Sequence, residues 1–285
     1  MKLSIIIPTF NNLDYLKFFL RSLKINSTFD HEIILHINDG SDGTLKYALD
    51  HNIKHTFSKT NIGLCSSMNK AYSLTTTDYI LYAHDDMYFC KNWDIFLIDE
   101  INKQDNNLYY LTGTNVSTRH GLMNYDCGSS TDTFDENKFS KFCVEDKTNN
   151  FQSSHWAPHL IHRELWDKIS GFSEEFNPGD GSDPDFCMKL WINNVRVFKG
   201  ISKFKVYHFN SKTTRNSKIS LNNGTKTFLF KYGFNPRFFR KHYLRGNISI
   251  IPYVGTLSNP NKNISFYFDL IKCKLKIFFY KIFNK

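Results

Sequence analysis

The chain has no cysteine pair spaced C-x-x-C; its six cysteines, Cys65, Cys90, Cys127, Cys143, Cys187 and Cys273, are scattered through 285 residues. That spacing argues against a structural zinc site and a dense disulfide framework, and a reducing cytosol is its simplest home. Long apolar runs are also missing near the N-terminus. The stretch Leu3 to Ile7 is too short for the core of a secretion signal and is broken by Pro8, so no such signal is read. Neither G-x-G-x-x-G nor G-x-x-x-x-G-K-[ST] occurs, which weakens hydride-transfer and NTPase readings. No internal repeat is visible.

What is present is ordinary globular material, with 41% hydrophobic and 22% charged residues. A mass of 33.5 kDa accommodates one large α/β domain with appendages or two small domains. The net charge of +9 favours acidic partners: phosphate-bearing ligands, nucleic acid or an anionic membrane surface. Basic residues thicken after about Lys199, whereas the carboxylates of interest lie earlier, so the excess is a C-terminal feature and no nucleic-acid partner is expected.

Leu3 to Ile7 is apolar without polar alternation, the pattern of a central parallel strand covered on both faces. Pro8 ends it, and Asn11 or Asn12 caps a helix whose apolar residues Leu13, Leu16, Phe19, Leu20 and Leu23 follow helical spacing. Strands near Glu32 to Ile37, Ile53 to Phe57 and Tyr79 to Ala83 alternate with short helices near Leu45 and over Leu64 to Leu74. Such alternation predicts a parallel sheet with right-handed crossovers and a ligand beyond the strand C-termini. Residues 113–150 are polar and weakly periodic, as in a loop-rich border to a site. Helices are expected over Arg163 to Ile169 and Asp185 to Asn194, with strands near Val195 to Phe198 and Lys205 to Tyr207.

Polar residues gather after the expected strands. Pro8-Thr9-Phe10-Asn11 offers backbone N–H groups and an aromatic face, though it also reads as an ordinary strand-to-helix turn. In Asn38-Asp39-Gly40-Ser41-Asp42-Gly43-Thr44 the glycines permit a tight backbone and Asp39 can accept from a base N–H, or the segment is simply a capped turn. His84-Asp85-Asp86 directly follows Tyr79-Ile80-Leu81-Tyr82; adjacent carboxylates repel unless a cation is present, which points to a divalent metal bridging a diphosphate. In the glycine-rich acidic loop Asn177 to Asp185, Asp183 is a candidate general base, and Asp185 is either a helix cap or a group on the catalytic, acceptor-facing side. His208, after a late strand, can complete a metal site with Asp86, and Lys212 or Arg215 can help hold a diphosphate.

Taken in order, these segments resemble glycosyltransferase family 2, a group of GT-A-fold enzymes. The matching pieces are Ser4 to Asn11, Asn38 to Thr44, Asn61-Ile62-Gly63 with Asn69, His84-Asp85-Asp86, and Gly171-Phe172 followed by Ser182-Asp183-Pro184-Asp185. The resemblance implies an α/β fold of GT-A, Rossmann-like type: a mostly parallel sheet flanked by helices, with a helical C-terminal extension. Residues 1–215 would form the glycosyltransferase domain, 1–112 its nucleotide-binding half and 113–215 its acceptor half, with 216–285 as the basic, aromatic extension. Pro8, Thr9, Phe10, Asn11, Asp39, Asn61 and Asp85 would surround the nucleotide, Asp86 and His208 would hold Mn²⁺ or Mg²⁺, and Asp183 would be the base of an inverting transfer. Trp156 and Asp185 are expected at the acceptor. Family members commonly show Asp-x-Asp at the metal; counting from Trp93 puts Asp86 at the second aspartate and His84 at the first. Ser182-Asp183 stands where a Glu-Asp pair is usual.

The partners so implied are a nucleotide-sugar donor, with UDP preferred because Asp39 suits a uracil N–H although guanine or thymine could also donate there, and a glycan, glycolipid or glycoprotein acceptor. A non-catalytic sugar-nucleotide or glycan-binding protein is the alternative that His84 and Ser182 raise. A nucleotidyltransferase would want a glycine-rich basic loop where Pro8-Thr9-Phe10-Asn11 stands. The segment Ile264 to Lys285 is aromatic and lysine-rich, its lysines prevent it from spanning a bilayer, and it either lies on an anionic membrane or packs on the domain. The expected location is the cytoplasm, with the cytoplasmic membrane face as the place the terminal segment would add.

Overall fold

In the computed structural model, which describes residues 1–153, 155–210, 222–246 and 250–283, the N-terminal β-branched run lies in the middle of a sheet. The chain runs β1 (Ser4–Phe10), α1 (Leu13–Asn26), β2 (Glu32–Asn38), α2 (Thr44–Asp50), β3 (Lys54–Ser58), α3 (Leu64–Tyr72) and β4 (Tyr79–Tyr82). There follow β5 (Met87–Phe89), α4 (Trp93–Ile101), β6 (Tyr109–Ser117), β7 (Met123–Asn124), α5 (Glu136–Glu145), β8 (Phe151–Gln152) and β9 (His159–His162). Then come α6 (Arg163–Ile169), α7 (Ser182–Ile192), β10 (Val197–His208), α8 (Gly224–Tyr232), α9 (Pro236–Phe239) with a π-helical turn at Arg240–Leu244, and α10 (Ile264–Phe283).

The strands form one sheet in the order β3-β2-β1-β4-β9-β6-β10-β5, with β7 beside β6 and β8 beside β10. β3, β2, β1 and β4 are mutually parallel, and β10 is parallel to β6. The sheet is therefore mostly parallel, but β9 runs against both β4 and β6, and β5 and β8 run against β10. Ile5, Ile6 and Ile7 are wholly buried, as a strand covered by helices on both faces requires. Burying apolar surface at about 25 cal/mol per Å² is what fixes this strand at the centre.

Four expectations need correcting. β1 continues through Pro8 to Phe10, because β4 leaves it after Ile6 and a proline is tolerated where the strand has lost one neighbour. Asn12 is the N-cap of α1 but its side chain makes no cap hydrogen bond; it is used elsewhere. Residues 113–150 are not uniformly loop: β6 runs to Ser117, and α5, capped by Asp135 accepting from Lys138 N, buries Phe139 against Tyr88 and Tyr207. The two late strands are one, β10, with a register irregularity between Gly200 and Lys205.

The loop ahead of α7 is clasped to α3. Asn177 Oδ1 accepts from Cys65 N at 3.0 Å and Ser66 N at 3.3 Å, which satisfies orphan donors at the start of α3, and its amide donates to Ser66 Oγ at 2.7 Å. Gly63 sits beneath at φ 84°, where a Cβ would lie 2.5 Å from Asn177 Oδ1. Gly63→Ala is expected to lose about 2–3 kcal/mol from the strained φ and the displaced cap together, read as a lower denaturant midpoint. An unchanged midpoint would show that the clasp carries no stability.

Candidate active site

The sheet delivers its polar residues to one edge, at the C-terminal ends of β1, β2, β4 and β10. After β1 and β2, Asn11 and Asp39 both adopt left-handed backbone, at φ 45° and 62°, which asparagine and aspartate tolerate better than other side chains. Asn11 Nδ2 donates to Asp39 Oδ2 at 2.8 Å and to Ser41 Oγ at 3.1 Å, so the two turns are tied together. Asn38, buried behind them, donates to Thr9 O and Ser67 Oγ and accepts from Ile62 N at 3.0 Å. Asn61 Oδ1 accepts from Gly63 N at 2.8 Å and closes its own turn. Asn38 is thus the residue that fixes Thr9 and the Asn61 loop relative to each other, a role not read from the sequence.

β4 ends at Tyr82 and is followed by His84, Asp85 and Asp86. Asn12 Nδ2 donates to Asp85 Oδ1 at 3.0 Å, so its amide is turned to that carboxylate. Burial and the adjacent Asp86 charge push the Asp85 carboxyl well above the usual carboxylate range. Asp86 itself is buried, and β5 starts at the next residue. Antiparallel pairing of β5 with β10 sets His208 opposite Met87, and Phe209 N donates to Asp86 O at 3.1 Å. His208 Nε2 therefore lies 3.0 Å from Asp86 Oδ1.

His84 joins this pair. Its Nδ1 is 3.4 Å from His208 Nε2, and its Nε2 is 2.7 Å from Tyr82 Oη. Ligand atoms of His84, Asp86 and His208 all lie within 4.8 Å of one another. Burial and the neighbouring His208 hold the His84 imidazole down at about 4, so it is neutral near pH 7. In the tautomer that donates Nε2–H to Tyr82 Oη, the Nδ1 lone pair faces His208 and is free for a cation. Burial opposes charge on His208, but Asp86, its hydrogen bond and Asp85 outweigh burial and raise it. Asn115 Nδ2 is 3.0 Å from His208 Nδ1, while Asn115 Oδ1 is buried without a partner. The same amide turned over accepts from Nδ1–H and leaves His208 Nε2 for a cation.

These residues fit a divalent cation. One carboxylate and two imidazoles whose ligand atoms lie within 4.8 Å of one another, with Asp85 beside them, are a donor set that a divalent cation suits. Two nitrogen donors make the set softer than the all-oxygen cages that Mg²⁺ prefers. The sequence expected the metal at Asp86 and His208; the structure brings His84 to the same place, and its signal was its position as the first residue of the Asp-x-Asp pattern.

Asp183 occupies the first turn of α7, one residue beyond Ser182, so the helix begins three residues earlier than the sequence suggested. Gly181, at φ 82°, turns the chain into it. Asp183 Oδ1 is buried with no hydrogen-bond partner, and burial pushes the carboxyl up to about 7. Burial raises the Tyr82 phenol, and the nearby Asp183, Cys65, Asp86 and Asp85 raise it further. Ser182 hydroxyl donates to Gly179 O at 2.7 Å and braces the loop.

The acceptor candidates part company. Trp156 is partly exposed; its indole N–H donates to Gly113 O at 3.2 Å and its ring stacks on Phe151 at 6.2 Å. Asp185 is fully buried, with Ser173 Oγ and Tyr232 Oη each at 2.7 Å and Lys231 Nζ at 2.8 Å. Both its oxygens are spent inside the protein, so the structure gives it an internal bracing role in place of the acceptor contact expected of it. Pro8 and Phe10 are partly exposed at the mouth, and Thr9 is buried behind them. Lys212 and Arg215 lie outside the described residues.

The sequence family described as Glycosyl transferase family 2 matches residues 4–202. The chain belongs to glycosyltransferase family 2. The matched span contains His84, Asp86 and Asp183, while His208 lies just beyond it. Among solved structures, S. aureus TarS 1–349 in complex with UDP-GlcNAc is similar with a TM-score of 0.58 at 17% identity, over 81% of this chain and 65% of that one. The same protein with UDP gives a TM-score of 0.55 at 18% identity, over 73% and 60%. GalNAc-T7 with UDP, GalNAc and Mn²⁺ gives 0.57 at 17% identity, over 73% of this chain and 44% of that one. The chain thus spans less than two thirds of the length of each, and at these identities the likeness shows the glycosyltransferase fold. No curated protein sequence matches it.

Proposed function

We propose that this glycosyltransferase moves a sugar from a UDP-sugar to a hydroxyl of a glycan acceptor, inverting the anomeric centre, with a divalent cation at His84, Asp86 and His208. The observation that carries the chemistry is Asp183: a buried carboxylate oxygen without a partner, with its proton held to about 7, is what a general base needs. The acceptor O–H proton passes to Asp183, the oxygen forms a bond to the anomeric carbon, and the carbon–phosphate-oxygen bond breaks with its electron pair leaving on the diphosphate. Mn²⁺ or, less well matched to two imidazoles, Mg²⁺ neutralises charge on that diphosphate when bound.

Pro8, Thr9, Phe10, Asn11, Asp39, Asn61 and Asp85 are assigned to the nucleotide side, with Asp39 as acceptor for the base N–H. UDP as carrier is supported by S. aureus TarS, solved with UDP and with UDP-GlcNAc, and by GalNAc-T7, solved with UDP and Mn²⁺. Trp156 is assigned to the acceptor, its exposed part offering an apolar face to a sugar ring.

Calorimetric titration of UDP and GDP, each with Mn²⁺ and with chelator, tests the donor assignment. UDP is expected to bind with Mn²⁺ at least about 10-fold more tightly than without it, and more tightly than GDP. Binding of neither nucleotide under either condition would overturn the donor site.

A further inference from the structure

The C-terminal helix presents two apolar faces, and among the described residues only one of them is covered by the fold. Inward, Phe266 and Cys273 are buried, and Leu270, Ile277 and Tyr280 pack partly against the core. Phe266 meets the Phe238 ring at 5.0 Å, and Asp269 accepts from Lys241 Nζ at 2.7 Å and His242 Nε2 at 2.9 Å. α10 packs on α8, whose Lys231 and Tyr232 grip Asp185 in the same turn as Asp183. The helix is therefore a fixed part of the molecule, one element removed from the base.

Outward, Ile264, Phe268, Ile271, Leu275, Phe278 and Ile282 are between 48% and 90% exposed. At 3.6 residues per turn these six fall within about 40° of one line along the helix, opposite the buried face. Lys272 and Lys276 border that stripe on one side and Lys274 and Lys281 on the other, about 80–120° from its centre. No acidic residue follows Asp269 in the sequence. No described helix is long and apolar enough to cross a membrane.

We propose that α10 docks the enzyme on an anionic lipid bilayer, laying this stripe into the headgroup boundary while the four lysines reach the phosphates. The occupant is chosen by charge. A second copy packed on the stripe would bring lysine borders against lysine borders, whereas an anionic surface meets cations on both sides and takes up aromatic and aliphatic side chains between them. The inference rests on the helix alone and does not depend on the donor reading.

The test is co-sedimentation of the full chain with phosphatidylcholine vesicles and with vesicles containing 30 mol% phosphatidylglycerol, a composition set for the experiment and roughly that at which lysines attract. Binding to the anionic vesicles alone is expected. Each lysine is worth roughly a factor of five, so replacing all four by glutamine is expected to lower partitioning at least about 100-fold. Ile271→Asp with Phe278→Asp is expected to abolish binding; both positions are exposed, and an unchanged unfolding temperature confirms that the variant folds. Absence of binding to anionic vesicles, or binding that both variants retain, would overturn the proposal. A concentration-dependent dimer lost in the aspartate variant, without vesicle binding, would assign the stripe to a second copy.

Discussion

Asp183→Asn is expected to reduce kcat by about 10²–10⁴-fold while leaving UDP affinity within about 2-fold, because an amide of the same shape fills the site without accepting the acceptor proton. In the parent, kcat/KM is expected to rise with pH through about 7, the value to which burial lifts Asp183. The same lift predicts a stability change of the opposite sense. The folded state holds this proton more tightly than the unfolded chain, so the contribution is full below about pH 4 and is lost as pH rises through about 7. Linkage between 3.8 and about 7 amounts to at most about 4 kcal/mol, reduced to about 1–3 because the residue is not wholly enclosed. Asparagine does not titrate, so the variant is expected to melt a few degrees higher than the parent at pH 8 and at the same temperature at pH 4. A variant that keeps its rate would remove Asp183 from the chemistry, and one that melts lower at pH 8 would overturn the raised carboxyl.

Asp86→Ala is expected to weaken Mn²⁺-dependent UDP binding by more than about 100-fold, since it removes the one carboxylate of the set and leaves His84 and His208 as neutral donors. His208→Ala is expected to cost about 10–100-fold. The informative partner is His84→Asp, which restores two carboxylates flanking one residue. It replaces a nitrogen donor by a hard oxygen, so the preference for Mn²⁺ over Mg²⁺ is expected to narrow, measured as the ratio of transfer rates with each ion. A ratio unchanged by His84→Asp would place His84 outside the coordination sphere.

Much of this architecture was legible because burial leaves a periodic trace. The unbroken Leu3–Ile7 run, the spacing of Leu16, Phe19 and Leu23, and the α6 span Arg163–Ile169 each announced their element. What periodicity cannot carry is partner choice between distant segments. Nothing in His159–His162 says that it inserts antiparallel between β4 and β6, and nothing around Glu136 outweighs the polar character that hid α5. At the site, the carboxylates were visible as a costly pair at a strand end. Asn38, Asn115 and Asn177 were not, because an asparagine that bonds across 24, 93 or 112 positions looks in sequence like any turn former. Asp185 misled for the matching reason: its neighbours Ser173, Lys231 and Tyr232 are supplied by other elements.

The β5–β10 ladder that puts His208 beside Asp86 also makes the proposed cation site a contact between residues 122 positions apart in the chain. The first half of the molecule holds Asp86 but cannot assemble the site until β10 has found its place in the sheet. On the proposed reading, cation uptake reports completed folding, and a ligand held only by the finished sheet protects it by mass action, by about 2.7 kcal/mol at a hundredfold excess over its dissociation constant. Thermal resistance, proteolytic survival and readiness for the donor are then three readings of one equilibrium.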